Sequence, residues 1–392
     1  MNTRTSTSIL EGSAHNDPAV PLRTRESRTQ RYLWALSVSL PTLGLVGIPL
    51  HYYYGNTWLL ALPILIAYVV IPLLDVLFGK TDSNFDEATM QAMDQDNFYR
   101  HMTYATVAAI YIIFGAITWY AGTQVEGMVA IALLGISAGF TGGVAINTAH
   151  EMGHKMTKIE RLLAKITLAV PAMGHFCVEH NLGHHKHVAT PEDHASSRMG
   201  ETIYAFAMRE IPGTFKRGVQ AEANRMRKLG KSVWHPSNQV LQSYLLSAIL
   251  YGGILFLFGW KMIPFMVLAI AFSWWQLTSA NYIEHYGLLR EKNERGGYES
   301  CKPHHSWNAN SVLSNRILFQ LERHSDHHAN PTRRYQVLRN FKDVPELPTG
   351  YFGMYMIAYV PSLWFKIMDK RLLDVPHING DMSKVNVLAK AS

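Results

Sequence analysis

The sequence predicts an all-α integral-membrane protein, with six transmembrane helices and a helical cap that carries a histidine-rich metal site. Three observations predict it. Six stretches reach the roughly 20 apolar residues a helix needs to cross a bilayer, and none contains Lys or Arg. Hydrophobic residues make up 48% of the chain against 17% charged, and they come in blocks. The 19 histidines are grouped in doublets rather than scattered.

Residues 1–30 are rich in Ser, Thr, Arg, Asn and Pro and have no apolar periodic face, so a disordered tail is expected there. No apolar core follows closely behind the start, so no signal peptide is expected. Residues 31–392 then read as a single membrane-embedded domain. Its spans run roughly over 33–54, 58–79, 102–122, 127–147, 240–260 and 262–283. The three short connections within this set are Gly55-Asn56-Thr57, Thr123 to Glu126, and Lys261 alone. Lys261 is the one basic residue among the 36 that falls on those loops. By the positive-inside rule the other side is the cytoplasm, which places both termini there, with cytoplasmic parts at 148–239 and 284–392. The net charge of +7 then follows from topology, and membrane lipid rather than nucleic acid is the expected neighbour. Residues 162–178 are apolar but short and contain Lys165, Pro171 and His175, so they predict a re-entrant or interfacial segment. Tyr351 to Met368 reads as an interfacial helix.

Four motifs carry the chemistry. They are His150-Glu151-Met152-Gly153-His154, His180-Asn181-Leu182-Gly183-His184-His185, Asn281-Tyr282-Ile283-Glu284-His285-Tyr286-Gly287, and His324-Ser325-Asp326-His327-His328. Spacings of three to five residues let one helical turn present several imidazoles to a common point. Nine histidines exceed the four ligands of one tetrahedral ion, so two metals are implied. The fourth span ends just before His150 and the sixth just before His285, which puts the site at the membrane boundary. For all four motifs to share one face, residues 155–179 must cross the bilayer an even number of times. Zinc is one option, but two imidazole-ligated metals with open positions suit oxygen activation by iron better. Glu151 lies about 100° around the helix from the His150/His154 face, so its Glu-x-x-His string is a chance match to the motif of soluble di-iron bundles.

At these residues the sequence resembles the membrane-bound alkane 1-monooxygenases, within the larger fatty acid desaturase and hydroxylase superfamily. The superfamily signature is three boxes of the types HxxxH, HxxHH and HxxHH. Here they read HEMGH, HNLGHH and HSDHH. The string NYIEHYG adds the element typical of the alkane hydroxylase branch, and the flanks GHHKHVATPEDHASSRMGE and LERHSDHHANPTRRYQVL also resemble that branch. The resemblance runs from the first span to about residue 345. It implies a di-iron site of two iron ions held by His150, His154, His180, His184, His185, His285, His324, His327 and His328, with O2 as co-substrate. His187 and His194 fall outside the ligand pattern. It further implies hydroxylation of the terminal methyl of medium-chain alkanes drawn from the bilayer, with electrons from rubredoxin and an NAD(P)H-dependent rubredoxin reductase. The bacterial cytoplasmic membrane is the implied location.

Rubredoxin iron needs four thiolates, and this chain has only Cys177 and Cys301, so the carrier is expected as a separate protein. The basic run Lys302, Arg316, Arg323, Arg333, Arg334, Arg339 and Lys342 offers a docking surface, or equally ordinary positive-inside charge. Glu179, Asp193, Glu284 and Asp326 adjoin the histidines and are candidates to accept imidazole N–H bonds. An alkane has no polar handle, so a narrow apolar slot is expected. Phe272, Trp274, Trp275 and Gln276 on the sixth span, and Asp75 near the end of the second, are its candidate residues. Two rivals stand beside this reading. One is a membrane desaturase or hydroxylase for fatty acyl or methyl-aromatic substrates. The other is a metal transporter, which predicts ionisable ligands near the midplane that these spans lack apart from Asp75.

Overall fold

A computed structural model describes residues 21–294 and 296–388. Six helices are long and apolar enough to cross a membrane: Arg28–Tyr54, Thr57–Phe78, Asn97–Thr123, Met128–Gly153, Gln239–Phe258 and Trp260–Glu284. They are numbered here as spans one to six. The first two are broken into short pieces, including a 3-10 turn at Leu40–Leu45 and a π turn at Ile66–Val70. Pro41, Pro49, Pro63 and Pro72 each remove a backbone donor, which accounts for the interruptions.

Spans four and six form the centre of the molecule, and they run in the same direction. Small residues make their close approach possible. A Cβ added at Gly135 would lie 2.8 Å from the Phe265 carbonyl, and one at Gly139 2.8 Å from that of Ala269. At Gly142 it would fall 1.9 Å from Ser273 Oγ. This pairing brings the ends of both spans, and hence His150 and His285, to one level.

The tail expected over residues 1–30 is corrected in part; residues 1–20 lie outside the described residues. Leu22–Arg23 pairs in parallel with Asn84–Phe85, and Arg23 Nη2 donates to Thr81 Oγ1 at 3.0 Å. Ser27 and Gln30 then form a capping box that starts span one at Arg28. The polar composition that suggested disorder therefore includes a helix start signal.

Span four also runs further than its apolar residues do, to Gly153, so His150 is helical and His154 caps the end. The stretch 162–178 contains a ten-residue helix, Lys158–Thr167, capped by Thr157, followed by turns around Pro171 and the left-handed Ala172. It does not reach spanning length. Tyr351 to Met368 is not one interfacial helix. It divides into Tyr351–Ala358 and Pro361–Leu373, broken before Pro361. Tyr351, Phe352, Met354 and Tyr355 are buried in the core, where they pack against spans two and six.

Candidate metal centre

The nine histidines of the four motifs converge, and they sort into two groups. His150, His154, His180, His185 and His327 each offer a ring nitrogen within 4.8 Å of the others, and so do His184, His285, His324 and His328. His187 and His194 belong to neither. Within the first group Nε2 of His185 lies 3.1 Å from that of His180 and 3.2 Å from that of His327. In the second, Nε2 of His324 lies 2.9 Å from that of His328 and 3.3 Å from that of His285. The rings of His185 and His328 stack at 4.3 Å and join the two groups.

The second motif is what divides. Residues His180–His184 form a π turn, in which the chain needs an extra residue per turn. His180 and His185, five apart, therefore face the same way, while His184 turns to the other group. In a regular helix positions five apart lie about 140° apart, so helical periodicity alone would not have paired them.

Neutral imidazoles are what a metal requires. Burial holds His285 down to about 3 and pushes His154, His180, His185, His324, His327 and His328 well below the usual histidine range. His184 differs. Burial acts downward, but the Asp193 carboxylate outweighs it and raises the imidazole. Nε2 of His150, His154 and His184 is buried without a hydrogen-bond partner among the described residues. Such orphaned atoms are costly unless a ligand completes them, and with nine imidazoles around them the residues fit a pair of transition-metal ions.

The four acidic neighbours take different roles. Asp193 accepts from His184 Nδ1 at 2.8 Å and from Ser196 Oγ at 2.7 Å, and Arg217 Nη2 lies 2.7 Å away. His285 Nδ1 uses the His305 carbonyl at 3.1 Å. Both bonds leave Nε2 free to face the centre. Glu284 does not sit behind an imidazole. Its Oε2 lies 3.3 Å from His324 Nε2, inside the cage, because the last turn of span six points it there. Glu179 and Asp326 bond no imidazole. Glu179 accepts from Arg217 Nε at 2.7 Å, and Asp326 from Arg333 Nη1, Asn330 Nδ2 and the Arg339 amide.

An apolar cavity leads up to the histidines between spans four and six. His150, His180, His324 and Glu284 close one end, and Phe140, Val144, Ile146, Leu277, Leu318, Leu321 and Phe352 line the walls. From Phe140 to His150 the helix rises about 15 Å. Of the expected slot residues only Gln276 is on this wall, bonded to the Tyr68 hydroxyl. The other four lie off it, each packed elsewhere. Trp274 Nε1 donates to the Pro171 carbonyl at 2.8 Å, Trp275 stacks on Tyr204, and Phe272 packs over Gly139. Asp75 is buried and accepts from the Ser314 amide at 3.0 Å and hydroxyl at 2.6 Å. Residues 143, 146 and 147 lie on the His150 face of the helix, so counting back from His150 by turns would have found part of that wall.

Glu210 was not singled out from sequence. It is 1% exposed, accepts from Thr278 Oγ1 at 2.7 Å and Asn281 Nδ2 at 3.0 Å, and burial pushes it up to about 7. Most of the basic run is also committed internally. Arg333 pairs with Asp326, Arg334 with Glu160 at 2.7 Å and Arg339 with Glu87 at 2.6 Å. Arg323 donates to backbone carbonyls and Arg316 lies over the Trp34 ring. A different cleft reaches the centre. Arg161, Lys165, Met156 and Leu182 line it, with His154 and His185 among its walls.

Fold and site together define a class: a multi-pass helical membrane protein whose clustered histidines could hold metal at the ends of its central spans. The family model described as fatty acid desaturase matches residues 127–358. The chain is 48% identical to alkane 1-monooxygenase 1 of Alcanivorax borkumensis, over 91% of this chain and 88% of that protein. It is 47% identical to alkane 1-monooxygenase of Ectopseudomonas oleovorans, over 91% and 89% respectively. A more distant relative, at 24% identity over 83% of the chain, is the hydroxylase component of the xylene/toluene monooxygenase of Pseudomonas putida. The chain belongs to the alkane 1-monooxygenase family.

Proposed function

We propose that this protein is a di-iron monooxygenase that hydroxylates the terminal methyl of medium-chain n-alkanes. The overall reaction takes one alkane, O2, two electrons and two protons to a 1-alkanol and water. The observation that carries this reading is the apolar cavity whose one end is closed by histidines of both groups. An alkane gains about 0.8 kcal/mol per CH2 from such a wall, and a chain lying along it would present its terminal methyl to the histidines.

The residues do the rest of the work available to the protein. His150, His154, His180, His185 and His327 would hold one iron, and His184, His285, His324 and His328 the other, with the Glu284 carboxylate close enough to join them. Iron there supplies the redox chemistry that activates O2. Burial favours the uncharged form of His154, His180, His185, His285, His324, His327 and His328, and Asp193 and the His305 carbonyl fix the ring orientation of His184 and His285. The apolar walls exclude water.

Electrons would come from rubredoxin, reduced in turn by an NAD(P)H-dependent reductase. The cleft beside His154 and His185, with Arg161 and Lys165 on its walls, suits a small acidic carrier. Sparse positive charge on the short loops supports a bacterial cytoplasmic membrane with both termini in the cytoplasm.

The test is product analysis by mass spectrometry under 18O2, using iron-loaded protein with rubredoxin, its reductase, NADH and n-octane. Singly labelled 1-octanol is expected. An alkene product without label would indicate a desaturase. Label entering only the methyl group of xylene or toluene would move the substrate to the methyl-aromatics, the class named for the distant relative.

A further inference from the structure

A third group of ligand-type side chains lies outside the nine-histidine centre. Glu299, His304 and His305 each offer an atom within 4.8 Å of the others. His377, from the C-terminal segment, stands beside His304, with its ring 6.4 Å from that of His305. Its ring lies 4.3 Å from that of His304, and that of His304 lies 4.3 Å from that of His305. Both ring nitrogens of His377 are buried without a hydrogen-bond partner among the described residues. A polar ring inaccessible on both sides signals a missing partner.

The chemistry narrows the ligand set. His305 already uses both nitrogens. Nδ1 accepts from the Lys302 amide at 2.9 Å, so the proton sits on Nε2, which faces Glu299 Oε1 at 3.2 Å. Lys302 Nζ also bonds the Glu299 carboxylate through its other oxygen. His304 and His377 therefore carry the free lone pairs, and Glu299 carries the negative charge. Burial lowers His304, and it brings His377 down to about 4, which favours the uncharged form of both rings.

We infer that Glu299, His304 and His377 form a site for one divalent cation of the zinc type, floored by His305. Two imidazoles and a carboxylate are the donor set such an ion takes, with solvent at a further position. His304 is only part-buried, so the ion has access from outside. The site joins the loop at 299–305 to the C-terminal segment, whose strand-like bridges run from Val385 to Leu288 and from Val387 to Met199. The same loop presents the His305 carbonyl that orients His285. A cation here acts as a clamp on the loop behind that histidine. The site shares no ligand with the nine-histidine centre, and its test does not depend on the activity.

The test uses full-length, iron-loaded protein without a polyhistidine tag. The protein is exposed to zinc, desalted and measured by elemental mass spectrometry, beside a His304→Ala/His377→Ala variant. One zinc per chain above the iron content is expected for the wild type, and complete loss of that zinc with unchanged iron for the variant. Equal zinc in the two proteins, or zinc that only replaces iron, would overturn the site. Should the double variant lose iron as well, His377→Gln alone is measured, and the same two results decide. Cobalt provides a second reading: a tetrahedral visible spectrum present in the wild type and absent in the variant supports the site, and identical spectra count against it.

Discussion

Asp193 shows how much a single buried carboxylate can decide in this protein. It pairs with the Nδ1–H of His184 and with Arg217, and no other of the four expected acids bonds an imidazole from behind. Asp193→Asn should weaken metal binding at the four-histidine group by roughly tenfold to a hundredfold and spare the five-histidine group. A cobalt titration that resolves two affinities would check this, and equal weakening of both would refute it. Glu210 makes a different case. Burial pushes it up to about 7, so the folded protein holds a proton that the unfolded chain has released above the ordinary glutamate range. Its stabilising effect is therefore full at low pH and is lost as pH rises through about 7. Glu210→Gln removes that titration and should gain on the wild type by about 3 kcal/mol at pH 9 relative to pH 5, at ~1.4 kcal/mol per pKa unit. Thermal unfolding in detergent at the two pH values would measure it, and parallel curves would sink it. At this scale the sequence named all nine histidines of the two groups. It could not tell that Glu284 faces the cage while Asp326 turns to Arg333, because side-chain direction depends on the last turn of each helix.

The helices explain what remained hidden. A period of 3.6 residues, applied to the second motif, pairs His180 with His184. The π turn pairs it with His185 instead. Trp274 and Trp275 were expected in the slot because span six leads into His285, and the phase of that helix turns them towards Pro171 and Tyr204 instead. The six spans were legible because length and apolarity suffice to find them. Their ends were not, since span four continues through polar residues to Gly153. The pairing of spans four and six rests on glycine, which makes a direct test available. Gly142→Ala puts a Cβ 1.9 Å from Ser273 Oγ, whereas the same change at Gly115 meets nothing within 4 Å. Overpacking of this kind costs roughly 1–3 kcal/mol, so Gly142→Ala should unfold earlier and lose metal, and Gly115→Ala should not. Equal melting temperatures would remove the close approach from the account.

For the whole molecule, charge and topology agree with one orientation. Lys261 is the single basic residue on the three short loops. In a chain with Cys177→Ser and Cys301→Ser, an Asn56→Cys variant should react with an impermeant maleimide added outside the membrane. Lys231→Cys, also exposed, should react only after the membrane is opened. The reverse pattern would invert the protein. The basic run near residues 302–342 was visible in the sequence, and its internal pairing with Glu160 and Glu87 was not, because partners from distant segments meet only on folding. The parallel course of spans four and six has one more effect. Both helices reach the histidines with their C-terminal ends, and each such end carries a backbone dipole equivalent to about half a negative charge. Imidazoles in their neutral form would bring no countercharge of their own to metal ions held there. Part of that countercharge would come from the peptide groups of the membrane helices themselves, where no side-chain substitution can remove it.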